Sequence, residues 1–364
     1  MTPIEFRRHI HMYPELSFEE FQTAQFIESA LEAEGIAYRR VAGTGVIAKI
    51  EGQGDLTRAV VLRADIDALP ITEQTGFDYA SKSSGVMHAC GHDMHAAVLF
   101  GTLQRLNASR NFEGTIFGVF QPGEECNPGG ASMVLAERPF EGYNVVAVIA
   151  NHTDSALEVG QIGLCAGAFM ASNDELRFYV RGRGGHGAMR DKLNDTVSAA
   201  ASIVTQATGL NSDSLVLSIG KVVADGATNI VPDIVYMEGT MRTFDKSVRE
   251  STWSALQDIV GRVDALYGTT TELDINHGYP TVVNDAALIA LAASAANGVC
   301  EVVELEKRYT AEDFGFYTEH YPSLFYRLGV GISAGRSHSS TFAPDERAIE
   351  VGIEMMTKIA LTVK

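Results

Sequence analysis

The residues of this chain best suited to chemistry are cation ligands, and they occur in short polar segments beside glycine or proline. These segments read Met87-His-Ala-Cys-Gly-His-Asp-Met-His95, Gln121-Pro-Gly-Glu-Glu125, Asn151-His152 and Ser337-His338-Ser339. Thiolate, imidazole and carboxylate are the groups that hold zinc-like divalent ions. The residues that would supply them are Cys90, His92, Glu124, Glu125, His152 and His338. Their joint occurrence predicts a hydrolytic metal centre.

The adjacent acids Glu124 and Glu125 follow an apolar strand pattern, where a buried unpaired acid would be costly unless a cation lay beside it. Two adjacent acids can divide the chemistry, because one binds the metal while the other takes a proton from water whose pKa the ion lowers to about 7. A lone His or Cys is more often a packed side chain, and an acid pair is usually a solvated face. Only the presence of all these residue types in one chain favours a catalytic metal site.

Short apolar runs that alternate with a helical pattern would position these residues. The runs and the helical stretch are residues 45–50, 59–64, 92–106, 115–120 and 145–150. This alternation is typical of an α/β sheet with much parallel pairing. Asp65 and Asp67, the two glutamates and His152 each follow a run. Ligand sites in such sheets gather beyond the carboxyl ends of the strands, so these residues are expected to converge.

A second domain is predicted from about residue 170, where the pattern becomes strand, helix, two strands, helix and strand. These elements are residues 175–181, 194–208, 214–223, 235–244, 247–267 and 270–277. The order βαββαβ indicates a ferredoxin-like unit. Because His338 lies beyond it, the C-terminal part is expected to rejoin the first domain. We predict a catalytic metal-binding domain at 1–170 and 278–364, and an inserted lid or dimerisation domain at 171–277.

Near the N-terminus, Ser17 and Glu20 predict a capped helix that ends at Gly35.

Composition narrows the class of protein. A formal charge of -18 would repel nucleic-acid phosphates and anionic lipid heads, so neither partner is expected. The four cysteines are scattered, the N-terminus lacks the apolar segment of a secretory signal, and no apolar run approaches the roughly 20 residues of a membrane span. These features predict a cytoplasmic enzyme that does not bind membranes.

Ordered sequence blocks along nearly the whole chain resemble the metal-dependent aminoacylase and carboxypeptidase G group of peptidases. The resemblance is to its branch of N-acyl-amino-acid amidohydrolases, which includes hippurate hydrolases and plant auxin-conjugate hydrolases. The blocks are Arg8-His-Ile-His-Met-Tyr-Pro-Glu-Leu16, Leu62-Arg-Ala-Asp-Ile-Asp-Ala-Leu-Pro70, His88-Ala-Cys-Gly-His-Asp-Met-His95, Gly123-Glu-Glu125, Gly184-Gly-His186, Asn229-Ile-Val-Pro232, Gly239-Thr-Met-Arg-Thr243, Glu312-Asp-Phe314 and His338-Ser339. The fold that this resemblance implies is a mostly parallel α/β catalytic domain with an inserted ferredoxin-like domain.

The resemblance also implies a site of two divalent ions, which would be Zn, Mn, Ni or Co, with Glu124 as the general base. Their ligands would be Cys90, His92, Glu125, His152 and His338. Asp67 would orient a ligand imidazole, although an acidic cap on a strand end is the alternative. Asp93 and His95 could simply cap and line the helix that starts at His92.

In the inserted domain, the resemblance implies that His186 donates to the developing oxyanion, usually in a neighbouring subunit. A homodimer through this domain is therefore expected. Arg242 would bind a substrate carboxylate, with an edge-strand arginine in solvent as the alternative, and Asn229 would be a further substrate contact. The chain departs from the usual pattern at Ala188-Met-Arg190 and at Met94.

The predicted activity is hydrolysis of the amide bond of N-acyl amino acids or related small conjugates by metal-activated water. A dipeptidase or aminopeptidase on the same scaffold is the alternative, because an N-acyl amino acid and a dipeptide differ mainly at the acyl end. A non-catalytic metal or small-molecule binding protein is a further alternative, which the presence of every ligand and of the base disfavours.

Overall fold

The computed structural model describes residues 1–363, which divide into two compact units. The first comprises Met1–Phe169, Val282–Lys307 and residues 313–363, and the second comprises Met170–Thr281 and Arg308–Glu312. The short segment Arg308–Glu312 was not part of the predicted insertion. It joins the second unit through the backbone, since the amide of Ala171 donates to the carbonyl of Arg308 at 3.0 Å.

The helices and strands of the described chain include the predicted elements and several that the sequence did not predict. Up to residue 170 they are α1 (Pro3–Met12), α2 (Phe21–Ala33), β1 (Ala37–Val41), β2 (Gly45–Glu51), β3 (Arg58–Asp65), α3 (His92–Ser109), β4 (Thr115–Gln121), α4 (Gly130–Ala136), β5 (Asn144–Asp154), β6 (Gln161–Leu164) and β7 (Gly167–Met170). The second unit adds β8 (Ser172–Arg181), β9 (Gly185–His186), α5 (Thr196–Thr208), β10 (Leu215–Ala224), β11 (Ile230–Val231), β12 (Ile234–Thr243), α6 (Lys246–Tyr267) and β13 (Thr270–His277). The C-terminal part contains β14 (Val282–Asn284), α7 (Ala286–Ala295), β15 (Glu301–Glu304), α8 (Gly315–Thr318), β16 (Ser323–Gly329) and α9 (Arg347–Thr362).

The first unit is built on an eight-stranded sheet with the order β1-β2-β4-β3-β5-β16-β6-β15. Its central strands β4, β3, β5 and β16 run parallel, so their carboxyl ends lie at one edge. Strand β3 is buried from Ala59 to Asp65, as expected for a strand with both faces covered. The predicted mixed α/β class with a mostly parallel sheet is confirmed.

Helix α3 presents the first candidate ligands at that edge. It is buried along most of its length and packs against α1 and α9. It begins after Gly91, whose φ of 89° a side chain would strain. A Cβ at Gly91 would also lie 2.5 Å from Oγ1 of Thr153 in β5. Glycine therefore allows the turn between Cys90 and His92 to approach the end of β5.

The second unit is a four-stranded antiparallel sheet with the order β10-β12-β8-β13. Its main elements follow the chain as βαββαβ, as predicted. Alternate residues of β8 are buried against helices α5 and α6, with Leu176, Phe178 and Val180 in the core. The other face of the strand carries half-buried polar side chains. Strand β10 lies at one edge of this sheet.

The predicted capping role of Ser17 was wrong. Helix α2 starts at Phe21, and its N-cap residue Glu20 makes no side-chain cap. Ser17 instead donates to Oδ2 of Asp67 at 2.7 Å, and Glu20 accepts from the amide of Gly123 at 2.8 Å. Both side chains are used to support loops at the carboxyl edge of the sheet rather than to start a helix.

None of the helices within residues 1–363 has both the length and the apolar character that a membrane-spanning segment needs.

Candidate metal centre

The five predicted ligands come together in the first unit, at the carboxyl edge of the sheet. Cys90 Sγ lies 3.4 Å from Nε2 of His152 and 3.3 Å from Nε2 of His338. Oε1 of Glu125 lies 3.1 Å from His338 Nε2 and 3.9 Å from His92 Nε2. Residues far apart in the sequence thus point sulfur, nitrogen and oxygen atoms at a shared volume.

Two of these atoms lack the partners that buried polar atoms normally have. Within the described residues, His92 Nε2 and Glu125 Oε1 have no hydrogen-bond partner. Glu125 Oε1 is close enough to Nε2 of His338 for an ion pair if that ring is protonated. A buried donor or acceptor without a partner is costly, and a cation would satisfy both atoms. The soft thiol, the imidazoles and the carboxylate also match the ligand preferences of Zn²⁺ and its neighbours in the transition series. The residues present therefore fit a metal centre.

The imidazoles are oriented so that their Nε2 atoms face this volume. Nδ1 of His92 lies 2.9 Å from the carbonyl and 3.0 Å from Oδ1 of Asp67, and Nδ1 of His152 lies 2.8 Å from the carbonyl of Thr153. Carbonyl oxygens only accept, so Nδ1 carries the proton in each neutral ring. The lone pair on Nε2 is then free to bind a metal.

Asp67 connects two of the candidate ligands. Its carboxylate also accepts from the backbone amide of Glu125 at 2.9 Å and from the hydroxyl of Ser17. Although burial opposes ionisation, the hydrogen bond from His92 and that from the Glu125 amide hold the pKa of Asp67 below its usual value. The fully buried carboxylate is thus ionised and fixed by donors on three sides.

The pKa shifts differ among the candidate ligands. Burial opposes protonation of His92, but the nearby carboxylate of Asp65 raises the pKa of that imidazole well above its usual value. Burial raises the pKa of Cys90 to about 12, so its thiolate needs a cation beside it near neutral pH. Burial, with the positive charge of Arg327, lowers the pKa of His152 well below its usual value and keeps that ring neutral.

Glu124 lies beside these residues and is 6% exposed. A carboxylate oxygen of Glu124 is within 4.8 Å of ligand atoms of His92 and Glu125. Its neighbour Glu125 turns toward Cys90 and His338. The two acids therefore occupy different positions in the site, which is what the predicted division into ligand and base requires.

Asp65 and His95 form a second cluster with His92, but hydrogen bonds satisfy it. Nδ1 of His95 lies 2.5 Å from Asp65 Oδ1, and the amide of Thr153 donates to His95 Nε2 at 2.8 Å. Both ring nitrogens are used, so His95 has no lone pair left for a metal. Sequence reasoning gave His95 only the role of lining the helix that starts at His92, because a histidine three residues into a helix gives no sign of its partner.

Asp93 lies away from the candidate ligands and belongs to a buried ionic network with α1. Its Oδ2 accepts from Nε of Arg7 at 2.8 Å and lies 2.9 Å from Nδ1 of His11. Nε2 of His11 lies 3.2 Å from Glu73. The sequence block that starts at Arg8 contained the signal for this network, since it carries histidines in a segment that packs on the ligand-bearing helix.

The three remaining predicted site residues lie in the second unit. His186 and Asn229 are neighbours, with Nδ2 of Asn229 3.4 Å from Nε2 of His186. The amide of Ala188 donates to His186 Nδ1 at 3.2 Å, so both ring nitrogens face neighbours within the second unit. Arg242 lies on β12 and donates to the carbonyl of Tyr309 at 2.8 Å. Their roles toward substrate stay predictions.

Comparison with known proteins identifies the family of this chain. The model of peptidase family M20/M25/M40 matches residues 61–362. The chain is 37% identical over 355 residues to N-acetyl-L-cysteine deacetylase of Bacillus subtilis (strain 168), covering 95% of this chain and 84% of that protein. It is 40% identical over 291 residues to N-acyl-L-amino acid amidohydrolase of Geobacillus stearothermophilus, covering 77% of each.

Among solved structures, the chain resembles a dinuclear metal-binding peptidase of Bacillus subtilis from the M20 family. The TM-score is 0.88 at 36% sequence identity, over 99% of this chain and 97% of the other. The chain therefore belongs to peptidase family M20/M25/M40.

Proposed function

We propose that this member of peptidase family M20/M25/M40 is a metal-dependent amidohydrolase that removes the acyl group from N-acyl amino acids or related small conjugates. The observation that carries this proposal is the convergence of five ligand side chains beside the carboxylate of Glu124. These five are Cys90, His92, Glu125, His152 and His338. The acyl class is supported by relatives whose names specify N-acetyl-L-cysteine and N-acyl-L-amino acids as substrates.

The five converging side chains would hold two divalent ions, as the name of the similar Bacillus subtilis peptidase states for that protein. Zn, Mn, Ni and Co all suit a mixed set of sulfur, nitrogen and oxygen ligands. Bound ions supply Lewis-acid polarisation of a carbonyl and lower the pKa of water. Asp67 would hold His92 in the tautomer that presents Nε2, and Ser17 would support Asp67.

Glu124 would act as the general base. It would accept a proton from the attacking water and return the proton to the leaving amine, which a carboxylate beside the ligands can do without being a ligand itself. In the second unit, His186 would donate from Nε2 to the developing oxyanion. Arg242 and Asn229 would contact the substrate, the first through its carboxylate.

The substitution Glu124→Gln tests the assignment of the base. It keeps the size of the side chain but removes its basicity, so turnover of N-acetyl and N-benzoyl amino acids should fall by roughly 10²–10⁴-fold. Metal content, measured by elemental analysis, should stay unchanged. The matched control Glu113→Gln alters an exposed acid and should leave both values as in the wild type. Turnover unchanged in Glu124→Gln would remove Glu124 from this role.

A substrate panel separates the acyl-amino-acid activity from the peptidase alternative. The metal-reconstituted protein is assayed with N-acetyl amino acids, N-benzoyl amino acids and dipeptides at equal concentrations. We expect acylated amino acids to be hydrolysed with the higher kcat/KM. Turnover of dipeptides alone would contradict the proposed substrate class while leaving the metal centre in place.

We further propose a homodimer formed through the second unit. Edge strand β10 exposes Val216, Val222 and Val223, and an edge strand with apolar side chains is ready to pair with another strand. Val222→Lys should therefore convert dimer to monomer in sedimentation analysis. Leu361→Lys, at an exposed position on α9, is the control that should remain dimeric. A wild-type monomer would end this proposal.

A cytoplasmic location is proposed from the cysteines. All four have free thiols in the described chain, and Cys90 must stay reduced to bind metal. A reducing compartment preserves thiols in this state. Fractionation of the native cells, with an antibody against the protein, would test the location.

A further inference from the structure

We propose that His95, held between Asp65 and the backbone of Thr153, is a positioning residue that sets the geometry of the metal ligands Cys90 and His152. This inference rests on the metal centre of the proposed function. It assigns a role to a buried histidine that lies among the ligands without being one. The evidence is a continuous chain of hydrogen bonds, each made by fully or almost fully buried groups.

The tautomer of His95 is fixed by its two partners. The backbone amide of Thr153 can only donate, so His95 Nε2 must accept and Nδ1 must carry the proton. Nδ1 then donates to the Asp65 carboxylate at 2.5 Å. His95 is 1% exposed and Asp65 is fully buried, so water does not compete for either contact.

Asp65 is itself held in place by a buried arginine. Nη1 of Arg63 donates to Asp65 Oδ2 at 2.8 Å, while Nε of Arg63 donates to Gln121 at 2.9 Å and its Nη2 to Asp313 at 2.7 Å. The guanidinium and the two carboxylates are fully buried. Asp65 therefore presents one oxygen to Arg63 and the other to His95, so it cannot move without breaking a buried ion pair or a buried hydrogen bond.

Thr153 passes this restraint to two ligands. Its hydroxyl donates to the carbonyl of Cys90 at 3.0 Å, and its own carbonyl accepts from Nδ1 of His152 at 2.8 Å. Its amide is the group bound to His95. One residue thus contacts the backbone of the thiol ligand, the ring of an imidazole ligand and the fixed histidine. The side chains Cys90 Sγ and His152 Nε2 are only 3.4 Å apart, so small shifts of Thr153 change the distance that a metal must fit.

Substitution Thr153→Val tests this role with little change of shape. It replaces the hydroxyl by a methyl group and leaves the carbonyl of Cys90 without its donor. Thr153→Ser keeps the hydroxyl and should restore the contact. The control is Thr102→Val, because Thr102 is also fully buried and its hydroxyl donates to the carbonyl of Val98 at 2.8 Å, within helix α3.

Substitution Asp65→Asn tests the tautomer. If the new amide group turns its oxygen to His95, its NH₂ faces Arg63, which is also a donor. If it turns NH₂ to His95, the proton must move to Nε2 and oppose the amide of Thr153. Either orientation breaks one contact of the chain, although the volume of the side chain is preserved.

The measurement is a cobalt(II) titration of the full-length, metal-free protein, with absorption spectra in the thiolate charge-transfer and d–d regions. Loss of a group that orients a ligand typically weakens metal binding by 10–100-fold. We expect such weakening, with altered d–d bands, in Thr153→Val and Asp65→Asn. Thr102→Val and Thr153→Ser should resemble the wild type, and thermal unfolding of the metal-free proteins shows that each variant is folded.

The outcomes separate this inference from the proposed function. If the wild type binds no cobalt through a thiolate, the metal centre itself is wrong. If the wild type binds cobalt but Thr153→Val has the affinity and spectrum of Thr102→Val, the positioning role is wrong. The positioning role would also be overturned if Asp65→Asn bound cobalt with the affinity of the wild type. The same holds if Thr153→Ser lost as much cobalt affinity as Thr153→Val.

Discussion

Substitution of Asp67 by asparagine should weaken metal binding by displacing the His92 ring or by releasing the loop of Glu125. Three donors face the Asp67 carboxylate, namely Nδ1 of His92, the hydroxyl of Ser17 and the amide of Glu125. An asparagine has one acceptor oxygen and one donor group. At least one of the three contacts must therefore be lost, and in each orientation a candidate metal ligand is affected.

The size of the effect follows from the contact that is lost. If the NH₂ group faces His92, it opposes Nδ1–H, which the backbone carbonyl of Asp67 still accepts, so the ring must turn and displace Nε2, the atom that would bind the metal. If it faces the other side, the amide of Glu125 loses a charged acceptor. A hydrogen bond to a charged group contributes roughly 1.5–3 kcal/mol. This corresponds to a metal Kd that rises by about 10–150-fold.

The assay is competition for Zn²⁺ between the protein and a chromophoric chelator of known affinity. Ser17→Ala provides a graded comparison, because it removes one neutral donor and leaves the contacts to both candidate ligands. We expect its Kd to rise by less than about 5-fold, in line with a net contribution of about 1 kcal/mol for a neutral hydrogen bond. If Asp67→Asn binds zinc as tightly as Ser17→Ala, Asp67 does not orient His92.

Two further predictions concern stability. Gly91→Ala should lower the free energy of unfolding, measured in urea titrations, by about 1–3 kcal/mol more than the control Gly298→Ala does. Both glycines have positive φ, but only the Cβ added at Gly91 would clash with another residue, Thr153. Burial opposes protonation of His11, yet its contact with Asp93 raises the pKa of His11 to about 9, above its unfolded value near 6.5. The protonated form therefore contributes about 3 kcal/mol to the free energy of unfolding, fully below pH 6.5 and progressively less as pH rises through 9. Urea titrations at several pH values should show this loss of stability in the wild type and not in His11→Gln.

The sequence was sufficient to predict the elements that carry the site. Hydrophobic periodicity placed β3, β4 and β5 within two residues at most ends, because buried parallel strands are almost continuously apolar. The alternation of strands and helices in the second unit was equally clear. Strands β1, β6 and β15 were not predicted, since short strands near the sheet edges carry mixed side chains that resemble loops.

The support of the site was less accessible from the sequence. Ser17 and Glu20 have the spacing of a capping box, but their side chains bind Asp67 and the amide of Gly123 instead. Local capping gains about 1 kcal/mol, whereas satisfying buried groups beside a metal site is worth more. A local pattern is therefore overridden when a distant partner offers the stronger contact.

The amino-acid sequence by itself determined which side chains can bind metal and which strands place them at one edge, because residue type and hydrophobic period are local properties. Tertiary structure decided which of the neighbouring acids and histidines face that volume and which support it. His92 and His95 lie one helical turn apart, yet one has an unpartnered Nε2 and the other has both nitrogens bound. The difference arises from the register of β3 and β5 against the first turn of α3, which depends on the packing of the whole unit.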